Sequence, residues 1–153
     1  MITRHYDPTF AKHANVHQDG LQAYPTLAHS GAVEVRASET HGLGLHSTEP
    51  IPGRTVIGEY TGTIRTYADC DISWSMHTSK GLDFMIDAST SRRSCPVRFI
   101  NDAEPALANC FCRELYANGR VFIISKMAIP ARTELLFYYG PEYDRTWLST
   151  VAQ

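Results

Sequence analysis

The sequence predicts a mainly β fold built from small twisted sheets, and three observations carry that expectation. Its apolar segments are short, as in Val33-Glu34-Val35, Thr55 to Tyr60 and Val121 to Ser125, which suits strands better than helices. No stretch sustains a long helical stripe, a low-complexity tract or an internal repeat. Asn118-Gly119 stands between two apolar or alternating runs, the strongest short hairpin signal in the chain.

Taken in order, residues 1–30 are polar and hold four of the seven histidines, His5, His13, His17 and His29. They read as an N-terminal extension, a loosely packed arm or short helix over the core, with a metal-binding or partner arm as the competing reading. From Gly31 the pattern turns β-like, with strands at Val33 to Val35 and Thr55 to Tyr60 and turns at His41 to Gly44 and Pro50 to Gly53. Ser73 to His77 and Leu82 to Asp87 are expected to pair across Ser79-Lys80-Gly81. Val121 to Ser125 reads as a buried return strand, and Ile129 to Thr133 as a turn into a strand from Glu134 to Tyr138.

At 153 residues the chain fits one folded domain, 31–148, that buries about two-thirds of its unfolded surface without a staple or metal. Charged residues are 20% and apolar ones 43%, and no apolar run approaches the ~18 residues of a membrane span. A net charge of -2 and a pI near 6.4 argue against a broad nucleic-acid footprint, so no direct nucleic acid binding is expected. Met1 to His5 lacks the apolar core of a secretory signal, and the C-terminus lacks a lipidation motif, so a soluble intracellular protein is expected. Cys70, Cys95, Cys110 and Cys112 form no repeated CxxC pair and read as reduced, mostly packed thiols.

Two segments near the C-terminus carry the chemistry. Arg98-Phe99-Ile100-Asn101 runs through Asp102 and Pro105 to Asn109-Cys110, and Glu134-Leu135-Leu136-Phe137-Tyr138-Tyr139-Gly140 follows after a hairpin. They resemble the signature motifs R-F-x-N-H-S-x-x-P-N and E-L-x-F/Y-D-Y-G of SET-domain protein-lysine methyltransferases. Upstream, His41-Gly42-Leu43-Gly44-Leu45 resembles the family's Gly-x-Gly, Gly58-Glu59-Tyr60-Thr61-Gly62 its G-E-Y-x-G, and Phe84-Met85-Ile86-Asp87-Ala88 its Y-x-I-D-A. A lone Gly-x-Gly carries little weight, but five ordered matches from about Ala32 to Gly140 carry much more.

The resemblance implies a SET-domain, β-clip-like fold whose C-terminal segment threads under a loop, with a short insert at 66–82 and a C-terminal lid at 141–153. It implies methyl transfer from S-adenosylmethionine to a lysine ε-amine, with a histone tail as substrate. A non-histone protein substrate, and a degenerate peptide-binding module without turnover, are the alternatives. It also implies a chromatin regulator in the nucleus if histones are the target, otherwise a cytoplasmic enzyme, and leaves a homodimer open. The family's zinc-binding cysteine in the Asn motif is Glu104 here, and no cysteine-rich flank is present, so no metal is expected.

An in-line displacement needs a neutral amine aligned with the donor. Lysine has a pKa of about 10.4, so deprotonation at pH 7 costs roughly 4 to 5 kcal/mol. Burial and a nearby positive charge both lower that pKa, so a water-excluding aromatic channel belongs to the mechanism, with alignment supplying much of the rest.

By their match to the motifs, Tyr139 is the implied catalytic residue, its hydroxyl facing the transferring methyl; a packed core tyrosine is the alternative. His41, Gly42, Leu43, Gly44, Asn101 and Asp102 are the implied cofactor-binding residues, with Tyr139 beside them. The side-chain amide of Asn101 would hold the methionine end and the Asn101-Asp102 backbone would lie near adenine. An ordinary strand-linking turn at His41 to Gly44 and a turn asparagine at 101 are the competing readings. Tyr60, Phe84, Phe137, Tyr143 and Trp147 are the implied substrate-binding residues, although a stripe of aromatics is as readily core. Phe137, standing where the family alternates Phe and Tyr, implies di- or trimethylation. Asp87 and Glu59 read as structural. The chain departs from the family at Asp102, Ala103 and Glu104, at Phe84, and in the three residues Ala106-Leu107-Ala108 that separate Pro105 from Asn109.

Overall fold

The computed structural model describes residues 24–90, 95–115 and 119–140. Strands β1 (Val33–Ala37) and β2 (Leu43–Ser47) form an antiparallel ribbon in which Leu43 pairs with Ala37 and Gly44 with Arg36. The turn between them is therefore 38–42, beginning three residues and ending two residues before the expected His41 to Gly44, and Leu43 and Gly44 belong to the strand. The Ser38 hydroxyl accepts the N–H groups of Thr40 and His41 (3.1 and 3.2 Å), and Gly42 adopts φ +53, so the chain reverses within four residues of Ser38.

A three-stranded sheet follows in the order β4 (Thr63–Arg65), β6 (Met85–Asp87), β5 (Ser75–Met76), all antiparallel. The expected pairing across 79–81 is present, with Ser75 opposite Asp87 and Met76 opposite Ile86. The sequence did not single out β4, which is short and polar at both ends. It is set by the bare backbone of Gly62, where a Cβ would fall 2.2 Å from the Asp87 carbonyl oxygen.

The central sheet has five strands in the order β3 (Val56–Glu59), β9 (Arg120–Ser125), β8 (Cys110–Leu115), β10 (Leu136–Phe137), β7 (Asn101–Asp102). The β8–β9 hairpin pairs Leu115 with Arg120 across a turn in which Gly119 has φ +66; Asn118 lies outside the described residues. Strand β9 is buried along Val121 to Ser125 because both faces are covered. Ile123 faces a core with Leu45, Ile57, Ile86, Ile100 and Leu135, while Phe122 and Ile124 face Val56, Phe111 and Tyr24. The end of the N-terminal extension covers that second face. Val56 donates to the Pro25 carbonyl (2.8 Å), Leu27 donates to the Val56 carbonyl (3.2 Å), and the Arg54 guanidinium lies 5.0 Å from the Tyr24 ring centre.

Strand β10 lies between β7 and β8 and runs parallel to both. Those two strands are joined by residues 103–109, so the C-terminal segment passes beneath that connection, the expected knot-like threading. Ala103 donates to the Phe137 carbonyl (3.1 Å) and Asn109 to the Leu136 carbonyl (3.0 Å), closing the connection over β10. Connections of this kind are exceptional in ordinary folds.

Candidate active site

The threading places the Asn motif, the glycine turn and the final aromatic segment at one junction. Asn101 begins β7, and its amide nitrogen donates to the carbonyls of His41 (3.1 Å) and Leu43 (3.0 Å) and to Glu134 Oε1 (2.9 Å). Glu134 Oε2 accepts from the Ser38 hydroxyl (3.0 Å). A Cβ at Gly44 would meet Glu134 Oε1 at 2.3 Å, so any other residue there would displace the carboxylate from its place beside Asn101. Gly42 differs: its left-handed backbone has open space where a side chain would stand, and His41 to Leu43 are exposed. Backbone groups that a ligand can approach closely are what the cofactor reading needs at this turn.

On the other side of Asn101, Phe137 and Tyr139 project two residues apart from β10 and its extension. Phe137 is buried, Tyr139 is 37% exposed, and their rings are 4.6 Å apart at 44°. The Tyr139 hydroxyl donates to the Ile100 carbonyl, and its backbone N–H donates to Asp102 Oδ1 (2.8 Å). Tyr60 is buried in the core cluster that contains Phe137, and its hydroxyl donates to the Trp74 carbonyl (2.7 Å). Burial pushes the Tyr60 phenol well above its ordinary pKa, and the neighbouring Cys95, Tyr139 and Asp87 add to the rise against the opposing charge of Arg98. It is therefore a neutral phenol at physiological pH. Phe84 stands at the β8–β9 turn, where a Cβ on Gly119 would lie 2.7 Å from its ring, and Lys80 Nζ is 5.7 Å from the ring centre.

The structural roles expected of Glu59 and Asp87 are visible. Glu59 makes a two-pronged ion pair with Arg120 (2.9 Å for both contacts), largely shielded from water. Asp87 accepts from the N–H groups of Asp71 (3.0 Å) and Ser89 (2.9 Å), with Arg65 at 3.4 Å. Burial alone would raise its pKa, but bonds from Ser89 and Asp71 and the Arg65 charge outweigh that and hold it below the usual carboxylate value. Burial pushes the thiols of Cys110 and Cys112 up to about 12, and all four cysteines are free. Among the described residues no group of three or more His, Cys, Asp or Glu side chains could hold a metal.

Several positioning residues escaped the sequence reading. Glu134 and Ser38, at opposite ends of the chain, hold the glycine turn against Asn101. Asn109 does the same for the threading: its amide donates to the Glu134 carbonyl (2.9 Å) and accepts from the Leu136 N–H (2.8 Å). The three extra residues before it form a turn, with Leu107 and Ala108 both donating to the Glu104 carbonyl, so Asn109 still reaches β10. Arg98 is clasped by aromatics, 4.6 Å from the ring centres of both Trp74 and Phe99, and donates to the Ala88 carbonyl (2.7 Å). Motif membership was a signal for Glu134, Asn109 and Arg98; Ser38 offered none. Tyr143 and Trp147 lie outside the described residues.

This junction and its threading define a SET fold, and the known proteins that resemble the chain agree. The SET domain family model matches residues 42–140. The chain belongs to the SET-domain family. Its sequence is 24% identical over 116 residues to the histone-lysine N-methyltransferase MEDEA of Arabidopsis thaliana, covering 69% of this chain and 16% of MEDEA. Among solved structures, KRYPTONITE in complex with mCHH DNA, an H3(1-15) peptide and SAH is 28% identical, with a TM-score of 0.59 over 74% of this chain and 24% of that one. An active polycomb repressive complex 2 in the stimulated state aligns at a TM-score of 0.65 and 23% identity, over 75% of this chain and 16% of the other. The chain thus spans a quarter or less of the length of these relatives.

Proposed function

We propose that the protein is an S-adenosylmethionine-dependent protein-lysine N-methyltransferase acting on a histone tail in the nucleus. The observation that carries this reading is the placement of the Tyr139 phenol beside Phe137, one strand away from Asn101 and the exposed glycine turn. Support also comes from MEDEA, named as a histone-lysine methyltransferase, and from the SAH and H3 peptide in the KRYPTONITE complex.

When bound, the cofactor supplies an electrophilic methyl on a positive sulfonium. The chain's own residues do the rest. The exposed turn at His41 to Leu43 would line the cofactor, and Asn101 would act largely by holding that turn, since its amide nitrogen is already engaged by His41, Leu43 and Glu134. Asp102 contributes its backbone. Phe137, Tyr60 and Phe84 would wall the lysine channel and keep water from the amine. The Tyr139 phenol, held by its bond to the Ile100 carbonyl, would orient the acceptor through weak CH···O contacts.

Calorimetry with S-adenosylmethionine, followed by labelled-methyl transfer to core histones and to mutant tails, tests this. Binding and lysine methylation are the expected results. Failure to bind the cofactor would leave a peptide-binding module instead. Tyr139→Phe is expected to lower kcat about a hundredfold or more with cofactor affinity nearly unchanged. Phe137 leaves room for an already methylated amine, so mass spectrometry should find di- or trimethyl-lysine, and Phe137→Tyr should move products toward the monomethyl form.

A further inference from the structure

We infer that Asp102 is a positioning residue for Tyr139, acting from the facing strand through the tyrosine's own backbone; the inference rests on the methyltransferase reading above. The parallel pairing of β10 with β7 consists of Leu136 opposite Asn101 and Phe137 opposite Asp102. Tyr139 lies two residues past the end of that ladder, and its N–H is taken by a side chain: Asp102 Oδ1, at 2.8 Å. At its other end the tyrosine hydroxyl donates to the Ile100 carbonyl. Tyr139 is therefore tied at backbone and tip to Asp102 and Ile100, which flank Asn101, and its ring cannot swing about χ1 without breaking the bond to Ile100.

The next residue shows why the backbone tie matters. Gly140 has φ +109, a backbone conformation that glycine adopts without strain, and the Asp102 bond fixes the residue immediately before it. A hydrogen bond to a carboxylate is among the stronger ones available to an N–H group. The family pattern E-L-x-F/Y-D-Y-G has an acid immediately before its final tyrosine; this chain has Tyr138 there and carries an acid at 102, in register with Phe137. The acid at 102, on the neighbouring strand, grips the tyrosine's amide.

The test uses the full chain with S-adenosylmethionine and core histones. Asp102→Ala should lower kcat about tenfold, with the KM for both substrates changing far less. Asp102→Asn keeps an oxygen acceptor in the same place and should restore most of that loss, which a purely structural role would not require. Independently of turnover, the Tyr139 amide of the labelled wild-type protein should exchange slowly, and Asp102→Ala should speed its exchange while Asp102→Asn does not. An unprotected Tyr139 amide in the wild type overturns the inference, as does lost protection in Asp102→Ala with kcat unchanged. A wild-type protein that methylates nothing while that amide stays protected would instead overturn the enzyme reading beneath it.

Discussion

At the threaded junction, side chains far apart in sequence hold one another: Ser38 and Asn101 both reach Glu134, and Asn109 ties the start of β8 to Glu134 and Leu136. In the 66–82 insert most side-chain bonds are local instead. Thr66 reaches Asp69, Ser75 reaches the Asp71 carbonyl, and Thr78 reaches the Phe84 carbonyl. The insert meets the body through Asp87 at the Asp71 N–H, through Glu114 at the N–H and hydroxyl of Ser79, and at Trp74 through the Tyr60 hydroxyl and the Arg98 guanidinium. Its surface also exposes Tyr67 and Leu82, while the junction buries Ile100, Leu135 and Phe137 and exposes Leu43, Leu107 and Tyr139. The contrast teaches a division of labour. Bonds between distant segments form only after the chain has closed long loops, so they fix one geometry for the reacting groups. Locally held segments can change without disturbing that geometry, which suits a surface that selects a substrate.

The largest test of this contrast is Glu134→Ala. It strips Ser38 and Asn101 of a shared acceptor and should cost about 2 kcal/mol in denaturant unfolding, together with a marked loss of cofactor affinity. Unchanged stability and affinity would mean that apolar packing alone holds the junction.

Acid should act on the insert before the junction. The Asp87 pKa is lowered on folding, so its stabilising contribution is complete above the unfolded value of roughly 3.9 and is lost as pH falls below that through the folded value. Hydrogen exchange at 71–89 should accelerate below about pH 4 ahead of exchange at Leu136 and Phe137. Simultaneous loss of both regions would erase the distinction.

The smallest effect is expected from Glu114→Ala, which frees Ser79 at an exposed site and should cost only about 0.5 to 1 kcal/mol. Its signature is selective: KM for the protein substrate should change while cofactor affinity does not. A change in cofactor affinity instead would show that the insert is coupled to the junction.

Much of this arrangement was legible in the residues, and the exceptions have physical causes. The β8–β9 hairpin and the β5–β6 pairing follow from turn chemistry and alternation, which act over a few neighbours. The turn at 38–42 begins three residues before the expected His41 to Gly44 because the Ser38 hydroxyl closes it on the N–H groups of Thr40 and His41. Strand β4 depends on a close approach between Gly62 and Asp87, and the two-residue strands β7 and β10 are set by pairing, β7 on β10 and β10 between β7 and β8.

By itself the amino-acid order determined the class of fold, the motif residues and the aromatic character of the junction, because periodicity, turn residues and ordered signatures are properties of neighbours along the chain. Only the tertiary structure decided that the Asn101 amide turns inward to the glycine turn, that Glu134 binds Ser38 across the whole domain, and that Asp102 grips the Tyr139 amide. Those contacts come from strands brought side by side by threading, and spacing along the chain carries no record of which groups will meet there.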